Sequence, residues 1–106
     1  MKIYNKLVRD NIPEIIKEDG KNCDIRVLDD WEYVIELKRK LIEESEELFT
    51  AESKDRMIEE LADVQEVLAA IIKVENINKD ALRRTRSEKS IEKGSYSKRI
   101  FLKNTF

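Results

Sequence analysis

Apolar side chains recur every three or four residues along two long stretches of this chain, and each stretch predicts an amphipathic helix. The first runs from about Asp30 to Phe49, where Trp31, Val34, Ile35, Leu37, Leu41, Ile42, Leu48 and Phe49 make one apolar arc. The second runs from Lys54 to about Asn76, and steps of 100° from Met57 gather Leu61, Val64, Val67, Leu68, Ile71 and Ile72 into another arc. Asp29 with Glu32 predicts a capping box at the start of the first helix, and Ser53 predicts the cap of the second. Only Thr50 to Lys54 interrupts the pattern, so the two helices are expected to fold back as an antiparallel hairpin.

Around the hairpin the pattern is weaker. Lys2 to Arg9 reads as a short extended piece, followed by a brief helix with Asn11 as its cap, Glu14 three residues on, Pro13 in the first turn and Gly20 as the stop. Cys23, Ile25 and Val27 alternate with Asp24 and Arg26, which predicts a short half-buried strand over residues 23–28. A further helix is expected from Lys79 to Lys93, capped by Asn78 and ended by Gly94. Its face carries Leu82, Arg86, Lys89 and Lys93, a narrow stripe that is mostly basic. Tyr96 to Phe106 regains Ile100, Phe101 and Leu102, and is expected to dock on the N-terminal strand or on another subunit. The expectation is a mainly α fold in one domain over residues 1–106. It has an antiparallel helix hairpin as its core, a third basic helix, and short extended segments at the N-terminus, at residues 23–28 and at the C-terminus.

Four acids break the apolar pattern where it matters. Glu44 and Glu47 on the first helix, and Glu60 and Asp63 on the second, are each spaced i, i+3 and so share a helix face. Glu60 falls inside the apolar arc between Val64 and Val67, and Asp63 lies at its edge, whereas Glu59, Glu66 and Lys73 take the opposite, wet side. An unpaired buried carboxylate costs several kcal/mol, so Glu60 needs a divalent cation or a buried Lys or Arg. The hairpin connection brings the second pair against the first, and four crowded acids are best reconciled by a cation among them.

Composition then removes alternatives. The chain has 106 residues, 42% of them charged, but its apolar residues are periodic, which points to helices with solvated outer faces. One cysteine, Cys23, and no histidine exclude an internal disulfide, a Cys/His zinc site and histidine acid/base chemistry. No apolar run spans a membrane and the start has no apolar signal core, so the expected location is cytoplasmic. The net charge of −2 hides a segregation. Residues 79–106 carry nine bases and three acids, leaving twelve bases and twenty acids elsewhere.

With these residues in view, a resemblance can be stated. Lys40-Leu41-Ile42-Glu43-Glu44-Ser45-Glu46-Glu47-Leu48 resembles the KLxEExxEL signature of the MazG-like all-α nucleoside triphosphate pyrophosphohydrolases, and Glu59-Glu60-Leu61-Ala62-Asp63 resembles its ExxD partner. The opening Tyr4-Asn5-Lys6-Leu7-Val8-Arg9-Asp10-Asn11-Ile12-Pro13-Glu14 is similar to the start of the phosphoribosyl-ATP pyrophosphohydrolase-like branch. Two departures stand out. Asn11 replaces a usual Lys, and Lys89…Lys93-Gly94-Ser95-Tyr96 replaces a K…RGGF-like segment.

The resemblance implies a helical bundle completed by oligomerisation, as a homodimer or homotetramer. It implies Mg²⁺, with Mn²⁺ as the alternative, held by Glu44, Glu47, Glu60 and Asp63. It further implies hydrolysis of a nucleotide between the α and β phosphates to a monophosphate and pyrophosphate, as in clearance of unwanted nucleotides. In that chemistry Glu44 or Glu43, with Glu47 as a further alternative, serves as the base, and Lys6, Arg9, Lys40, Lys89 and Lys93 bind the substrate phosphates. Two readings of other classes stand beside it. A non-catalytic helical interaction module would present the acidic face to a basic partner. RNA binding through the basic C-terminal stretch is the other, and there aromatic side chains are scarce.

Overall fold

A computed structural model describes residues 1–106 and contains four helices and no strand. They are α1 (Ile12–Glu18), α2 (Asp30–Thr50), α3 (Lys54–Val74) and α4 (Lys79–Lys93). The chain divides into two compact units, Met1–Asn76 and Ile77–Phe106. No helix is long and apolar enough to cross a membrane.

The first unit is built on the α2–α3 hairpin. Asp29 caps α2 by accepting from the Glu32 backbone N–H at 2.8 Å, and Ser53 caps α3 by accepting from that of Arg56 at 3.1 Å. The reciprocal half of the expected capping box does not form, because the Glu32 carboxylate turns outward to the Arg26 guanidinium, with contacts of 2.6 and 3.1 Å. A two-pronged charged contact outcompetes one backbone amide. Asn11 sits at the start of α1, but its side chain accepts no capping hydrogen bond, and its backbone is already helical (φ −91°, ψ 0°).

The half-buried strand expected over residues 23–28 is absent. Cys23 is exposed, and Val27 keeps 92% of its surface in water. Alternation alone does not make a strand; the backbone needs a neighbouring ladder, and residues 23–28 form none. The extended pieces at both ends are likewise without sheet pairing.

Where α2 and α3 meet, the inner seam is Val34, Leu37, Leu41, Glu44 and Leu48 against Glu60, Val64, Val67, Ile71 and Val74. The alternating steps of three and four are those of a coiled-coil seam. Leu37 and Val67 are its buried apolar members, and Glu44 and Glu60 its buried acids. The broad apolar arcs read from the sequence are therefore split. One edge enters the seam, while Trp31, Ile42 and Phe49 of α2 and Ile58, Leu61 and Leu68 of α3 remain exposed. One residue further along a helix turns the side chain by about 100°, and in an antiparallel pair that turn leads to the same side on both helices. These exposed residues consequently share one broad face of the hairpin.

In the second unit, Asn78 caps α4 by accepting from the Asp80 and Ala81 backbone N–H groups, and Gly94 ends it with φ 84°. That left-handed conformation suits glycine. No α4 residue is buried, and Ile100, Phe101 and Leu102 beyond it are exposed.

Candidate metal centre

The hairpin brings the two acidic pairs together. Glu44, Glu47, Glu60 and Asp63 each present a carboxylate oxygen, and the four oxygens lie within 4.8 Å of one another. The inward members are the seam positions Glu44 and Glu60, only 6% and 4% exposed, while Asp63 is half-buried and Glu47 is open to solvent. One oxygen of each buried acid, Oε2 of Glu44 and Oε2 of Glu60, is sealed from water with no hydrogen-bond donor in reach. Leaving a charged acceptor in that state is costly.

The acids resist ionisation accordingly. Burial, then the adjacent Glu47 carboxylate and Asp63, pushes Glu44 up to about 7. Burial and Glu47 push Glu60 upward as well. The chain supplies three cations to the cluster. Lys40 Nζ stands 3.6 Å from Glu44, Arg56 Nη2 stands 3.4 Å from Glu60, and Arg9 Nη2 stands 2.6 Å from Asp63. None of them reaches the two unpartnered oxygens. Arg56 is itself 63% exposed, so Glu60 has no buried cation of the protein as its partner.

Glu43 lies outside the group of four. It accepts from Lys6 at 2.8 Å and from Lys40 at 3.1 Å, and the Lys6 contact leads in holding its carboxyl below the usual range. Lys6 and Lys40 thus border the cluster through Glu43, and Arg9 borders it through Asp63. Lys89 and Lys93 belong to the second unit, on α4, where both are exposed. Arg56 is the neighbour that sequence reasoning overlooked. Its signal was present, because Arg56 and Glu60 stand at i, i+4, as Lys40 and Glu44 do.

The donor set is all oxygen, and two of its carboxylates, Glu44 and Glu60, each carry a buried oxygen without a donor, a need that a hard divalent cation would meet. The residues therefore fit Mg²⁺ or Mn²⁺.

No protein-family model matches the chain. No solved structure matches it either. It is similar to an uncharacterised protein of Mycolicibacterium smegmatis, 46% identical over 54 residues, which is 51% of this chain and 55% of that protein. The chain spans about half the length of the curated relative it matches.

Proposed function

We propose that the four-carboxylate pocket binds Mg²⁺, and that the protein hydrolyses a nucleoside triphosphate or related nucleotide between its α and β phosphates. The observation that carries this reading is the pair of sealed, donor-less oxygens on Glu44 and Glu60 inside a cluster of four acids. Such a cluster weakens the hairpin for no structural return, which is the usual mark of a site kept for binding. The resemblance to MazG-like pyrophosphohydrolases rests on the motifs that hold these residues and on the opening segment from Tyr4.

Glu47, Glu60 and Asp63 hold the cation, which when bound supplies charge stabilisation to the phosphate oxygens. Glu44 either joins them or accepts the proton of the attacking water, and it is better placed for that than Glu43, whose carboxylate is held by two lysines. Water adds at the α phosphorus, the bond to the bridging oxygen breaks, and pyrophosphate leaves. Lys40, Lys6 and Arg9 at the rim meet the negative charge of the leaving group. The bare apolar face of the hairpin packs against a second copy, so the working form is an oligomer.

The test is release of pyrophosphate from a panel of nucleotides with Mg²⁺. Turnover is expected in the wild type and loss of about a hundredfold or more in Glu60→Gln and Asp63→Asn. Unchanged turnover in both variants would remove the assignment.

A further inference from the structure

Asp63 is engaged twice. It lies within 4.8 Å of three other carboxylates, and its Oδ1 accepts from Arg9 at 2.6 Å. We propose that Arg9 is a placeholder for the cation. It neutralises Asp63 while the pocket is empty, is displaced when a divalent ion loads, and is thereby handed to the anion that follows. The inference rests on the metal-site reading above and adds an order of events to it.

The three cations of the cluster differ in one respect that singles out Arg9. Lys40 and Arg56 sit one helical turn from their acids on the same helix and cannot leave them far behind. Arg9 comes from 54 residues away in the chain, on a segment without regular structure that precedes α1. The side-chain hydrogen bonds from that segment to the hairpin are two, Lys6 to Glu43 and Arg9 to Asp63, on either side of the half-buried Leu7. Asn5 immediately before Lys6 is in the left-handed region (φ 45°), so the chain bends as it arrives. Both cations are substantially exposed, at 41% and 57%, and exposed ion pairs are weak and easily exchanged. A divalent ion bound by four acids brings twice the charge of Arg9 to the same carboxylate and removes the attraction that held the segment down.

A freed guanidinium a few residues from Lys6 is a forked cation suited to phosphate oxygens. The pocket therefore admits its ligands in sequence. With the cation absent, Arg9 lies against the acids. With the cation present, Arg9 and Lys6 become available to a polyphosphate held on the metal.

This is tested on the full chain with Mn²⁺ as the paramagnetic probe and inorganic pyrophosphate as the anion. Removing the placeholder should have opposite effects on the two ligands. Arg9→Ala should bind Mn²⁺ about three- to tenfold more tightly, and bind pyrophosphate in the presence of Mn²⁺ more weakly by a similar factor. In the wild type, saturating Mn²⁺ should speed tryptic cleavage after Lys6 and Arg9, whose side chains are otherwise held by Glu43 and Asp63, a readout that simple neutralisation of charge would not move. Mn²⁺ affinity that is unchanged or weaker in Arg9→Ala would make Arg9 a group that orients Asp63, and would overturn the proposal. So would cleavage at these two sites that Mn²⁺ leaves unaffected. Failure of the underlying reading looks different: Mn²⁺ would then not bind, or would bind equally well to Asp63→Asn and Glu60→Gln.

Discussion

The two broad faces of the α2–α3 hairpin lie one residue to either side of the seam in the register of each helix, and they have opposite chemistry. One step forward from the inner seam lie Ile42 and Phe49 on α2 and Leu61 and Leu68 on α3, all exposed and apolar. One step back lie Glu36, Lys40, Glu43 and Glu47 on α2, with Glu59, Asp63 and Glu66 on α3, and there the N-terminal segment is tied down through Lys6 and Arg9. Between the faces, Glu44 and Glu60 put charge into the seam itself. The lesson is that a helix with a wide apolar arc and acids at its border serves two purposes. The seam closes the hairpin, and the surplus on either side is available for a partner and for a ligand.

The comparison can be broken from either side, and the charged side should give the largest effect. Glu60→Gln or Asp63→Asn is expected to reduce Mg²⁺-dependent pyrophosphate release by about a hundredfold or more while leaving the hairpin's helicity by circular dichroism intact. The bare face should respond differently. Ile42→Glu combined with Leu61→Glu places two charges where a second copy would pack, and is expected to weaken self-association at least tenfold in sedimentation equilibrium. An unchanged mass in the double variant would assign the face to another partner or to solvent.

A third prediction sharpens the seam between the faces. Glu44 and Glu60 hold their protons more tightly in the folded chain than unfolded, so the folded state binds more protons above the ordinary carboxylate range. Their contribution to stability is then present at low pH and is lost as pH rises towards about 7, the value of Glu44. Without divalent ions, the melting temperature should therefore fall between about pH 4.5 and 7.5, less so in Glu44→Gln, and Mg²⁺ should raise it most at the upper end. The smallest effect belongs to a position on neither face. Ser53→Ala removes the α3 cap and should cost about 1 kcal/mol in denaturant unfolding without changing cation binding.

Much of this was legible in the sequence. The period of the apolar residues located α2 and α3 to within about two residues, and Asp29, Ser53 and Asn78 marked starts that their side chains do cap. The angular position of Glu60 inside an apolar arc was enough to expect a buried acid. What the sequence left open is which edge of a wide arc enters the seam. Leu61 and Val64 are equally apolar, and only the packing partner separates exposed from half-buried. Glu44 is a seam residue for the same reason, although the apolar arc of the first helix does not include it. The strand expected over residues 23–28 failed because pairing is non-local, and alternation says nothing of a partner. The ion pairs of Lys6 and Arg9 were hidden likewise, since they join positions 37 and 54 residues apart.

The central claim is that the hairpin's acids form a divalent-cation site, and the most direct measurement is Mn²⁺ binding followed by electron paramagnetic resonance at neutral pH. The account predicts saturable binding that Mg²⁺ displaces and that Glu60→Gln and Asp63→Asn abolish. Absence of saturable binding, or binding that survives both substitutions, would contradict it.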